Sequence, residues 1–120
     1  MTVRLSKSFT FEAAHSLPGF PDGHKCRRLH GHSFRVDVHV EGPLDPKRGY
    51  LIDYGEIKAA FEPLRARLDH YHLNEIEGLE NPTSEMIARW IWERLRPALP
   101  LLAEVVVHET CDSRCEFRGG

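Results

Sequence analysis

Two stretches of two-residue alternation constrain this chain more than any other feature. From residue 3 to 15, Val3, Leu5, Phe9, Phe11, Ala13 and His15 share one parity, broken only by Lys7. From 32 to 41, Phe34, Val36, Val38 and Val40 stand on one face, with Ser33, Arg35, Asp37 and His39 on the other. Side chains on a strand point alternately to opposite sides, so each stretch predicts a strand with one apolar and one polar face. Between them lies a run of turn formers, Leu17-Pro-Gly-Phe-Pro-Asp-Gly-His24.

Helical spacing follows. Asp53 stands as an N-cap with Glu56 three residues on, a capping-box arrangement, and Ile57, Phe61, Leu64 and Leu68 form an apolar stripe. Pro63 falls inside this stripe and is expected to bend or shorten the helix. A second helix fits residues 83 to 96, with Ile87, Trp90, Ile91 and Leu95 on one side and Pro97 ending it. Residues 102 to 110 and 115 to 118 read as a closing hairpin. The order strand, strand, helix, helix, strand, strand predicts an α+β fold: an antiparallel four-stranded sheet with two helices on one face. Such a sheet has two open edges, which invite association between subunits.

At 120 residues the chain has room for one domain, residues 1–120. Sixteen Lys and Arg against 18 Asp and Glu give a net charge of −2, which argues against a nucleic-acid-binding protein. No apolar run reaches the ~18 residues of a membrane span, and the N-terminal residues lack a signal-peptide core, so a cytoplasmic protein is expected. Three cysteines, an odd number, favour free thiols or a metal role over a disulfide framework.

Eight histidines are the most unusual count, and they cluster. His30 and His32 share the parity of Phe34 and Val36, and His15 that of Phe11. If the two strands pair, three imidazoles converge, which is what a catalytic zinc site with an open fourth position needs. Gly31 between two of them is expected to let the backbone bend or approach closely. Cys26, flanked by Lys25, Arg27 and Arg28, suits either a fourth, closing ligand or a reactive thiolate. In Asp69-His-Tyr-His72, an aspartate can orient or charge an imidazole, and the residues alone do not choose between His70 and His72. Glu109 shares a face with Val105 and Val107, where a carboxylate needs a partner such as a planar pair of N–H donors. Cys111 and Cys115, in C-x3-C spacing, read as turn and strand residues.

Taken together, Phe9-Thr-Phe-Glu-Ala-Ala-His15, Gly23-His-Lys-Cys26, His30-Gly-His32-Ser-Phe34, Leu68-Asp-His70, Leu73-Asn74, Glu80-Asn-Pro-Thr-Ser-Glu85 and Glu109-Thr-Cys111 resemble the 6-pyruvoyltetrahydropterin synthase family over essentially the whole chain. The C-x3-H-G-H spacing is similar to the branch that makes 6-carboxytetrahydropterin for 7-deazaguanine (queuosine) biosynthesis. Asp69-His-Tyr-His72 departs from close relatives, which often have a second histidine directly after the first.

The resemblance implies a tunnelling fold in which subunits close an antiparallel barrel, with two stacked trimers forming a hexamer and active sites between subunits. It implies zinc on His15, His30 and His32, Cys26 as proton acceptor, and Asp69 with His70 as a proton relay. Glu109 would grip the pterin edge and belong to the relay, and Thr83 and Ser84 would line the pterin pocket. The implied reaction is a lyase reaction: 7,8-dihydroneopterin triphosphate gives 6-carboxy-5,6,7,8-tetrahydropterin, acetaldehyde and triphosphate. Lys25, Arg27 and Arg28 are expected to attract the triphosphate. The alternatives are a pyruvoyl-type or related dihydropterin side-chain lyase, and a non-catalytic zinc-binding module closed by Cys26.

Overall fold

The computed structural model describes residues 1–110 and 112–120. Cys111, half of the C-x3-C pair and the last residue of the Glu109-Thr-Cys111 motif, lies outside the described residues. The strands are β1 (Thr2–His15), β2 (His30–Pro43), β3 (Leu102–Glu109) and β4 (Ser113–Phe117), and the helices are α1 (Tyr54–Leu68) and α2 (Ser84–Leu95). The sheet is antiparallel in the order β1-β2-β3-β4. Strand rise is ~3.3 Å per residue, so the fourteen-residue β1 and β2 make a long ribbon, and the protomer measures 58 × 25 × 23 Å.

Alternation decides which face is covered. Phe9, Phe11, Phe34, Val36, Val38 and Val40 are buried under the helices, with Phe9 stacked on Phe61 of α1 at 4.3 Å and Phe11 on Phe34 at 5.0 Å. Burying one such side chain contributes roughly 1.5–3 kcal/mol. The opposite face is polar and internally paired. Asp37 accepts a 2.6 Å hydrogen bond from Ser8 and lies 2.7 Å from His108 Nε2. Burial pushes the Asp37 carboxyl up, but Ser8, His108 and Arg35 outweigh it and hold the group below its usual value.

Asp53 caps α1, its carboxylate accepting from the Gly55 N–H at 2.7 Å, and Thr83 caps α2 through Met86 at 3.2 Å. The expected shortening at Pro63 does not occur: α1 runs unbroken to Leu68. Proline removes one bond, to the Ala59 carbonyl, but both residues face water, while Leu64 and Leu68 are buried and anchor the last turns. β4 begins at Ser113, two residues before the expected start, because Glu109 pairs directly with Ser113. The edges also differ from expectation. Residues 69–72 run along the end of β1, with His70 N–H bonded to the Glu12 carbonyl and Ala14 N–H to Tyr71 at 3.1 Å, so that end of the edge is covered. No helix among the described residues is long and apolar enough to cross a membrane.

Candidate metal centre and the cleft beside it

Register builds the centre. β1 and β2 pair so that His15 faces His30 and Ala13 faces His32, and all three rings emerge on the apolar side of the hairpin. Their centroids lie 4.6, 5.1 and 4.9 Å apart. The far nitrogens are tied: His15 Nδ1 is 2.8 Å from the Pro82 carbonyl, His30 Nδ1 is 2.7 Å from the Arg28 carbonyl, and His32 Nδ1 is 2.8 Å from the Thr110 hydroxyl. A carbonyl only accepts, so His15 and His30 carry their protons on Nδ1 and turn Nε2 lone pairs toward one another.

His15, His30, His32 and Glu109 each offer a ligand atom within 4.8 Å of the others. His15 Nε2 and His32 Nε2 are buried without a hydrogen-bond partner, although Glu109 Oε1 stands 3.4 and 2.9 Å away. Buried, unpaired imidazole nitrogens turned toward one another fit a cation, and three imidazoles with a carboxylate suit zinc among the divalent metals. Burial, opposed by Glu109 and reinforced by His15 and His30, holds His32 below its usual 6.5, which favours the neutral, ligating form. The ring of His15 is the main influence that lowers Glu109 to about 2, against burial and with help from the Ser84 hydroxyl and His32. Ser84, at the first turn of α2, donates to Glu109 Oε2 at 2.6 Å.

Gly31 does not play the expected role. Its φ is not positive, and a Cβ there would lie 3.6 Å from the Ala13 carbonyl, an ordinary contact. Cys26 is not among the clustered ligand atoms. It sits in a single 3-10 turn, Lys25–Arg27, capped by His24, whose Nδ1 accepts from the Cys26 N–H at 3.0 Å. That turn edges a cleft of about 730 Å³ lined also by His30, His32 and Glu109, so the thiol and the histidines open into one space.

Asp69 and His70 are brought together but lie elsewhere. His70 Nδ1 is 3.0 Å from Asp69 Oδ2, and Asp69 Oδ1 accepts from the Glu12 N–H at 2.9 Å. That backbone bond, then His70 and Arg65, holds the Asp69 carboxyl below its ordinary value against burial. Asp69 pairs with His70; the nearest carboxylate to His72 Nδ1 is Glu75 at 3.5 Å. His70 has φ +63, a left-handed conformation that costs roughly 1–3 kcal/mol outside glycine, and its N–H bond to Glu12 holds it there. The His70 side chain is 79% exposed and borders a second cleft lined by Glu12, Ala13, Gly31, His32 and Ser33, so His32 lines both clefts. Within one chain Cys26 and His70 therefore line different clefts that adjoin at His32.

Sequence reasoning missed Thr110 and the Pro82 carbonyl, which orient His32 and His15. The signal for Thr110 was its position directly after Glu109 at a strand end. Thr83 uses its hydroxyl to cap α2.

Comparison with known proteins agrees with this geometry. The sequence profile of the 6-pyruvoyl tetrahydropterin synthase family matches residues 4–120. A 6-carboxy-5,6,7,8-tetrahydropterin synthase of Synechocystis sp. is 47% identical over 119 residues, covering 94% of this chain and 91% of that protein. A dihydroneopterin monophosphate aldolase of Pyrococcus furiosus is 39% identical over 100 residues, covering 83% of this chain and 81% of that one. The solved 6-pyruvoyl tetrahydropterin synthase of Caenorhabditis elegans superposes with a TM-score of 0.91 at 25% identity, over 100% of this chain and 97% of that chain. The chain belongs to the 6-pyruvoyl tetrahydropterin synthase family, and its four-stranded sheet with two helices is that family's tunnelling fold.

Proposed function

We propose that this protein is a zinc-dependent lyase converting 7,8-dihydroneopterin triphosphate and water to 6-carboxy-5,6,7,8-tetrahydropterin, with release of acetaldehyde and triphosphate, as a cytoplasmic step of queuosine biosynthesis. The observation that carries this reading is the convergence of three imidazoles, two of them held in one tautomer by backbone carbonyls, beside the cleft that also receives Cys26. The 47% identity to a synthase of that name supports the carboxy product.

His15, His30 and His32 would hold the zinc, which supplies Lewis acidity toward the hydroxyls of the substrate side chain. Glu109, with one oxygen fixed by Ser84, presents a planar carboxylate to the paired N–H donors of the pterin's amino-pyrimidine edge. Thr83 fixes the start of α2, and with it the wall that carries Ser84. Cys26 accepts a proton from the side-chain carbon, and His70, steadied by Asp69, moves a proton at its exposed ring nitrogen. Oxidation of the side chain and reduction of the ring balance within one substrate molecule, so no nicotinamide or flavin is required.

Cys26 and His70 line different clefts of one chain, so the complete site takes Cys26 from one subunit and the relay from another. A barrel of three subunits, stacked in pairs as a hexamer, supplies that arrangement. Two features support it. β4 has five residues, a length that fits the uncovered Thr2–Ser8 stretch of β1, and pairing the two removes both edges. The polar face, with its charges already paired, suits the lining of a water-filled barrel.

The test is anaerobic incubation of zinc-loaded protein with 7,8-dihydroneopterin triphosphate, with mass spectrometry of the pterin and chemical trapping of aldehyde. Carboxytetrahydropterin with equal acetaldehyde is expected. A pyruvoyl product without acetaldehyde, or turnover of a phosphate monoester alone, would move the protein to another branch of the family. No turnover of any dihydropterin would overturn the enzyme assignment.

A further inference from the structure

The three basic residues around Cys26 do different work, and the local backbone separates them. The Arg28 N–H closes a 3-10 turn on the Lys25 carbonyl at 3.1 Å. Residues three apart on such a turn project to the same side. Lys25 and Arg28 therefore stand together, and both line the cleft shared by Cys26, His30, His32 and Glu109. Arg27 points elsewhere and is fully engaged. Its Nη1 donates to the Pro18 and Phe20 carbonyls at 2.6 and 2.8 Å, and its Nε lies 3.5 Å from Asp22. Its role is to hold the loop that carries Cys26.

Lys25 and Arg28 contrast with it. Both are exposed, and among the described residues neither side chain makes a hydrogen bond or ion pair. The cleft also holds two carboxylates, and neither forms an ion pair with them: Glu109 accepts from Ser84 at 2.6 Å and Asp112 from Ser113 at 3.3 Å. Two unpaired cations on one side of a turn, at the mouth of a cleft with a metal-ligand cluster beside it, make a receptor for a polyanion tethered to a metal-bound group.

We propose that Lys25 and Arg28 bind the polyphosphate tail of the substrate and set the preference for a triphosphate over a monophosphate or an unphosphorylated side chain, while Arg27 is a positioning residue for the Cys26 loop. This rests on the pterin-lyase reading above. It also bears on a difference inside the family, since one relative is a monophosphate aldolase.

Two readouts test it on zinc-loaded protein. The first is steady-state kinetics with dihydroneopterin as triphosphate and monophosphate, with the free alcohol, which has no phosphate to lose, used as a competitive inhibitor. Losing charge-assisted bonds, K25Q/R28Q raises KM for the triphosphate roughly ten- to hundredfold and leaves inhibition by the free alcohol unchanged. Arg27→Gln, acting through the loop, lowers kcat/KM for both substrates by a similar factor. The second readout is calorimetric binding of inorganic triphosphate, compared between wild type and K25Q/R28Q so that any chelation of the metal is common to both. Weaker binding by the double variant is expected, in proportion to its KM change. An unchanged triphosphate KM together with unchanged calorimetry would overturn the assignment. Should the wild type turn over no dihydropterin yet bind triphosphate through Lys25 and Arg28, the lyase reading fails and the polyphosphate site stands.

Discussion

The two ends of the chemistry in this fold are built to different degrees of completeness. The histidine cluster is finished within one chain: His15 is fully buried, each ring has its far nitrogen tied, and the free nitrogens face one another. The Asp69–His70 pair is equally well fixed at its base, by two backbone bonds to Glu12, but its ring projects from the segment after α1 and is largely exposed, at a separate cleft. The difference teaches that one chain closes the ligand cluster by itself and leaves the His70 ring exposed, the arrangement that the proposed shared site calls for.

Breaking that division gives the largest expected effect. Cys26→Ala and His70→Ala should each lower kcat about 10²- to 10⁴-fold, the range for removing a general acid or base, with zinc content unchanged. Oligomers reconstituted from a mixture of the two variants should regain activity, because some interfaces then join an intact Cys26 to an intact His70. Mixtures as inactive as either parent would show that both groups act within one subunit. A smaller effect sharpens the other side. Thr110→Val removes the partner of His32 Nδ1 and should weaken zinc binding roughly 10- to 100-fold, measured by competition with a chelator. Mixing it with wild-type chains should produce two populations of sites rather than rescue, since all four clustered ligand atoms come from one chain.

How much of this was legible in the sequence follows the same line. The histidine cluster was readable because period-two alternation fixes the face, and hydrophobic burial fixes the register that sets His15 opposite His30. Glu109 was readable as a carboxylate on an apolar face needing a partner, but that partner, Ser84, comes from a helix whose placement no local pattern encodes. The separation of Arg27 from Lys25 and Arg28 was hidden, because it depends on a single 3-10 turn inside a loop read only as turn formers. Of the two effects expected at Pro63, shortening does not occur, since propensity cannot weigh one lost bond at a solvated position against two buried leucines. The covering of β1 by residues 69–72 was equally out of reach, being a tertiary contact between a helix end and a strand edge.

The smallest effect probes how His70 is held. In the folded chain Asp69 lies below its ordinary value of 3.8, chiefly because its carboxylate accepts the Glu12 N–H, and also through His70 and Arg65. In the unfolded chain it returns to about 3.9. A depressed folded value means the ionised form is favoured by folding. The contribution is therefore complete above about pH 4 and is lost as the pH falls through the folded value. Asp69→Asn lacks this contribution at every pH. Denaturation midpoints of the two proteins should differ at pH 6 and draw together below pH 4, the wild type losing stability while the variant's loss is shallower. A gap that stays constant into acid would mean that the carboxylate's charge does not hold the strained turn, and that Glu12 fixes His70 through its carbonyl alone.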